Sequence, residues 1–94
     1  KKSLDFYLPD FNIGIECQGE QHFKPVKHFG GHNRYIDTIN RDLNKKKLCN
    51  DNGIEIVYVY DKKFKKHMHD NEIVSEIYDN SRIIDINELY CFWK

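Results

Sequence analysis

Between Arg34 and Tyr60 the chain passes from helical to extended periodicity with only Asn52-Gly53 in between, which forces a helix to deliver its successor straight into a sheet. Ile36, Ile39 and Leu43 recur at helical spacing over Arg34 to Asn52. Asp37 with Arg41 and Asp42 with Lys46 stand as i,i+4 pairs, and Asn52-Gly53 closes the segment as a C-cap. Ile54 to Tyr60 is short and rich in β-branched and aromatic residues, as a central strand requires. Upstream, the apolar run Leu4 to Leu8 stops at Pro9-Asp10, and Asn12 to Gly19 then alternates with period two. Together these two runs predict a β-hairpin, and the whole predicts a β-β-α-β order. The expected fold is α/β, a short mixed sheet with flanking helices in one domain, because 94 residues leave no room for a second core.

Strand alternation expects Ile13, Ile15 and Cys17 on a core face, with Gly14, Glu16 and Gln18 on the face that carries polar chemistry. His22 to Asn33 holds Pro25, Gly30, Gly31 and three of the five histidines, so an exposed, mobile loop is expected there. Asp70 to Tyr78 reads as a second helix capped by Asp70, with Ile73, Val74 and Ile77 inward. Ile83 to Ile86 reads as an edge strand, and Asn87 to Trp93 as a terminal turn or helix.

Fifteen acids balance fifteen bases, so net charge says nothing about nucleic acid and the basic residues must be read by position. Cys17, Cys49 and Cys91 are odd in number and lack the tight spacing of a zinc framework, which fits reduced thiols and a cytoplasmic protein. No apolar stretch reaches the ~20 residues of a membrane span, and nothing at the start resembles a signal peptide. The opening Lys1-Lys2, without a methionine, suggests a piece of a longer chain.

Hydrolysis of a phosphodiester needs charge neutralisation at the phosphate and a positioned water, and clustered carboxylates holding Mg²⁺ supply both. A hairpin register can bring Asp5 and Glu16 together on one face. Gln18 follows two residues on, Gln21-His22 lie where the strand runs out, and the glycines Gly14 and Gly19 leave room near the backbone. Glu20 is expected to be merely solvated.

The segments Leu4-Asp5-Phe6-Tyr7-Leu8-Pro9 and Ile15-Glu16-Cys17-Gln18-Gly19-Glu20-Gln21-His22-Phe23 resemble the core of PD-(D/E)XK nucleases. The likeness is to the branch of very-short-patch-repair endonucleases and phage homing endonucleases, and Asp42-x-x-Lys45 and Asn52-Gly53-Ile54 extend it over about residues 4 to 60. The resemblance implies a restriction-endonuclease-like core and a Mg²⁺- or Mn²⁺-dependent endonuclease acting on double-stranded DNA, with a phage-encoded origin as one setting. It implies Asp5 and Glu16 as metal-binding carboxylates and places Gln18 where the family has its lysine. An amide cannot carry a proton, so Gln18 orients water or substrate, or His22 takes over as general base or acid. On the helix, Lys45 is expected to meet a substrate phosphate and Asp42 to orient a neighbour.

Basic residues gather at Lys45-Lys46-Lys47 and Lys62-Lys63-Phe64-Lys65-Lys66, with Lys24 and Lys27 in the histidine-rich segment. Lys24, Lys27, Lys45, Lys62 and Lys63 are the expected phosphate contacts, and Phe64 either stacks on DNA or packs under a helix. Alternatives stay open: a zinc site or ββα-metal site drawing on His28, His32, His67 and His69, an inactive DNA-binding module of the same fold, or an interaction domain exposing Tyr58, Tyr60 and Trp93. Monomer and dimer are equally compatible with the sequence.

Overall fold

The structure, a computed structural model, describes residues 4–93. Strands β1 (Phe6–Leu8), β2 (Ile13–Gln18), β3 (Glu55–Tyr60) and β4 (Arg82–Asp85) form one sheet in that order. Helix α1 (Gly31–Asp51) joins β2 to β3, α2 (Glu72–Tyr78) lies between β3 and β4, and α3 (Ile86–Trp93) follows β4. β1 runs antiparallel to β2, while β2, β3 and β4 are mutually parallel, so the small mixed α/β sheet expected from the sequence is present.

The helix that delivers β3 ends at Asn52, whose N–H reaches the carbonyls of Leu48 and Cys49, and Ile54 N–H returns to Cys49 O at 2.8 Å. From there β3 runs through the centre of the sheet, with Ile56 to Tyr60 all buried. Its position explains why Tyr58 and Tyr60 are not exposed: a middle strand is covered by neighbours on both edges and by helix on one face. The side chain of Trp93 lies outside the described residues.

The main core forms between that helix-covered face and α1 and α2, from Phe23, Tyr35, Ile39, Ile56, Tyr58, Tyr60, Val74, Ile77 and Tyr78. Ile56, Tyr58 and Tyr60 share their face with Gly14, Glu16 and Gln18, their register partners on β2. The expected assignment of faces is therefore inverted. Glu16 and Gln18 are buried at 5% and 4% exposure, whereas Ile13 and Ile15 are only half-buried and Cys17 is exposed. Gly14 explains part of the inversion: a Cβ there would sit 2.5 Å from Leu4 Cδ1, so the Leu4 side chain crosses β2 where the glycine leaves space.

The segment after His22 is anchored rather than loose. Glu20–His22 and Lys27–Phe29 form 3₁₀ turns, α1 begins three residues earlier than expected, and Phe23 is fully buried. Its ring stacks on Phe64 (5.4 Å, 12°) and on Tyr78 (5.4 Å, 24°). Phe64 is partly buried and packs against Phe23.

Two helix-end assignments also change. Asn71, not Asp70, caps α2, accepting from Val74 N at 2.9 Å. Lys46 does not pair with Asp42; its ammonium donates to the carbonyls of Glu76, Ile77 and Asp79 at 2.7–3.0 Å, closing the C-terminal turn of α2. Burial pulls the Lys46 amine below the ordinary lysine range despite Asp79 and Glu76 nearby. Because three charge-assisted bonds tie α1 to α2 through this one atom, Lys46→Ala is expected to lower unfolding free energy by about 1–2 kcal/mol, measured by urea denaturation.

Candidate active site

β1 and β2 run antiparallel with Phe6 opposite Ile15, so one further step brings Asp5 opposite Glu16. Two backbone donors tie the acids to the facing segments: Asp5 N–H donates to Glu16 Oε2 and Cys17 N–H donates to Asp5 Oδ2, both at 2.8 Å. Asp5 is exposed and Glu16 buried, so the pair spans the boundary between solvent and core.

Opposite β2, the D-x-x-K segment of α1 presents Asp42 and Lys45 on one helical face, three residues apart. Glu16 and Gln18, two apart on a strand, also share a face, and the two pairs meet. Lys45 Nζ lies 2.6 Å from Glu16 Oε1, and Gln18 Nε2 lies 3.4 Å from Asp42 Oδ2 and donates to Tyr78 Oη at 3.1 Å. Asp42, itself only 6% exposed, binds His22 Nδ1 at 2.6 Å. A carboxylate acceptor makes Nδ1 the protonated nitrogen, which leaves Nε2 as the one that can take a proton.

Each expected site residue can now be located. Asp5, Glu16, Gln18 and His22 fall in two bonded sets side by side on β2 and α1: Asp5 and Glu16 with Lys45, and Gln18 and His22 with Asp42. Lys45 is not a solvated rim cation: it is half-buried against Glu16. Lys24 pairs with Glu20 at 3.1 Å, so that glutamate is not simply solvated. Lys27, Lys62 and Lys63 are exposed. Lys62 and Lys63 follow the carboxyl end of β3, and Gln21-His22 the carboxyl end of β2, so both lie at the same edge of the parallel strands. Ligands of open α/β sheets bind at that edge.

Cys17 does not face the core, yet it remains a poor nucleophile. Partial burial, then the charges of Asp5 and Glu16, push its thiol up and keep it protonated. Cys17 and Cys49 are both free thiols, and Cys91 lies outside the described side chains. Three of the four remaining histidines go to separate partners, His67 Nδ1 to Asp70 at 2.7 Å, His69 Nδ1 to Ser75 at 3.2 Å and His32 against the Tyr35 ring, and His28 is exposed. Among the described residues no group of three or more His, Cys, Asp or Glu is arranged to hold a metal ion.

Behind Glu16 and Asp42 stand two tyrosines. Tyr78 Oη accepts from Gln18, whereas Tyr58 Oη is buried with no hydrogen-bond partner among the described residues. Burial, with the Asp42 charge, pushes both phenols far above the ordinary tyrosine value. Deleting a satisfied hydroxyl costs a bond and leaves Gln18 Nε2 with Asp42 alone, while deleting an orphan relieves a desolvated dipole. Tyr78→Phe is therefore expected to lose about 1 kcal/mol and Tyr58→Phe to lose nothing or gain up to about 1 kcal/mol, by thermal unfolding of the two variants side by side.

No family model matches the chain, and no solved structure matches it. The chain is 33% identical over 57 residues to an uncharacterized protein, 307L, of Invertebrate iridescent virus 6. The match takes in 60% of the chain and 29% of the viral protein, so it spans under a third of that relative's length. No helix among the described residues is long and apolar enough to cross a membrane.

Proposed function

We propose that this chain is the catalytic core of a metal-dependent endodeoxyribonuclease that hydrolyses phosphodiester bonds of double-stranded DNA. The observation that carries the proposal is the joining of Asp5 and Glu16 across β1 and β2 beside an Asp42–His22 pair and an ammonium, Lys45. Buried acids at 2.6 Å from a lysine and a histidine, opening onto the carboxyl edge of the strands, are costly to maintain for stability alone. The strand order of β1, β2 and β3 with α1 inserted is compatible with the restriction-endonuclease-like core that the sequence resembles.

The donor set fits Mg²⁺ or Mn²⁺, because these hard ions are commonly held by one or two carboxylates, with water and substrate phosphate oxygens completing the shell. Asp5 and Glu16 would hold such an ion, which when bound supplies charge neutralisation at the phosphate. The chain's own groups do the rest. Asp42 fixes the His22 ring through Nδ1, so that Nε2 accepts the proton of the attacking water as its oxygen bonds to phosphorus and the bond to the leaving oxygen breaks, that oxygen taking a proton from solvent. Lys45 places a positive charge beside Glu16, and Gln18, held by Tyr78 and Asp42, keeps the helix face in register. Lys62 and Lys63 then supply phosphate contacts at the rim.

One observation favours an inactive DNA-binding module instead: the position expected to carry lysine holds Gln18, buried and bonded within the fold. The two readings separate in a nicking assay on supercoiled plasmid with Mg²⁺, Mn²⁺ or EDTA. The nuclease requires metal-dependent nicking, at least about a hundredfold slower in Asp5→Asn and about 10²–10⁴-fold slower in His22→Gln. A folded wild-type chain that binds DNA equally in Mg²⁺ and EDTA and never nicks it leaves the binding module.

A further inference from the structure

Beside His22 lies a cleft of about 410 Å³, lined by Gln21 and His22 and by Gly30, Arg34, Thr38 and Arg41. Arg34, Thr38 and Arg41 recur at i, i+4 and i+7, one face of the N-terminal half of α1. Both arginines are exposed, and among the described residues neither is engaged in an ion pair. The expected i,i+4 pair of Arg41 with Asp37 is not formed. Two positive charges thus border the hollow with no ion-pair partner among the described residues, in a chain of zero formal net charge.

Further features suit an anion there. The first turn of α1 contains no acidic residue, so the positive end of its dipole is not neutralised from within. Gly30 is left-handed (φ +91°), and a Cβ on it would fall 2.7 Å from Arg34 Cβ. Only glycine lets the chain pass so close to the arginine stem, which holds Arg34 against the cleft wall. A guanidinium fork, the Thr38 hydroxyl and the Gln21 amide are the donors that phosphate oxygens take. His22 also lines the cleft, so an anion bound there lies next to the imidazole whose Nδ1 is held by Asp42.

We propose that this cleft is a phosphate-binding subsite, with Arg34 and Arg41 as its cationic arms. It rests on the nuclease reading for its natural occupant, a DNA backbone phosphate adjacent to the one attacked at Asp5 and Glu16. Seated there, the neighbouring phosphate positions the strand so that the scissile group meets His22 from the carboxylate side. The subsite is independent of the divalent ion.

Two measurements in EDTA test it, on the wild-type 94-residue chain and on an Arg34→Gln/Arg41→Gln double variant. Inorganic phosphate is titrated into ¹⁵N-labelled protein, and a short fluorescent duplex is titrated by anisotropy at several salt concentrations. Phosphate is expected to shift the amides of Gly30, Gly31 and Thr38 in wild type and not in the variant. The variant is expected to bind the duplex about tenfold more weakly, with its salt slope smaller by about two. Matching amide spectra away from the cleft establish that the variant is folded. If phosphate leaves the cleft amides unmoved, or the folded variant binds the duplex with unchanged affinity and slope, the subsite is overturned even where wild type nicks plasmid. If wild type ignores the duplex in EDTA and in Mg²⁺ alike but its cleft amides answer phosphate through the two arginines, the subsite stands for free phosphate groups and the nuclease reading falls.

Discussion

The contact on which the rest of this molecule depends is the polar seam between β2 and α1, where Glu16 meets Lys45 and Gln18 meets Asp42. A strand places residues i and i+2 on one face and a helix places i and i+3 on one face, so two short sequence spacings interlock in a single register. Slipping β2 by one residue would bury Cys17 against Lys45 and expose both Glu16 and Gln18. The slip would leave the partly buried Lys45 ammonium without its carboxylate, at a cost on the order of several kcal/mol, so the seam selects the register as well as supplying the site. Lys46, the next residue, reaches the other way to hold α2, and the lysine run of α1 is therefore structural on two sides.

From this seam outward, packing and chemistry share the same atoms. Asp42 is held in the core by Gln18 and in turn holds His22, while Phe23, the next residue, is locked among Phe64, Tyr60 and Tyr78. The imidazole is thereby fixed on both sides by buried groups, although it stands at the head of a segment rich in glycine and histidine. Fixing a reactive side chain from the core lowers the entropy lost on meeting a substrate.

The elements were largely legible in the sequence. The hairpin, the long helix, the Asn52-Gly53 stop and the β-branched strand each carry a local signal, set by backbone propensity and capping within a few residues. Asp5, Glu16, Gln18 and His22 stood out for the same reason, as polar residues closely spaced around one strand. What misled was the rule that an alternating strand turns its aliphatic residues inward. On β2 that rule points to Ile13, Ile15 and Cys17, but α1 arrives carrying Asp42 and Lys45 and makes the polar face the covered one. A helix-borne partner more than twenty residues away is invisible to a pattern that runs along one strand.

Local chemistry alone therefore determined which segments are strands and helices, where they stop, and which side chains are capable of acid, base or metal work. Only the tertiary structure decided which of them meet. It gave Lys45 to Glu16 instead of to solvent, Lys46 to the end of α2 instead of to Asp42, and it left Arg34 and Arg41 unpaired beside His22. The physical reason is one of range: propensity and capping act over one or two turns of chain, whereas burial and ion pairing depend on distances through space, which exist only after the helix has packed on the sheet.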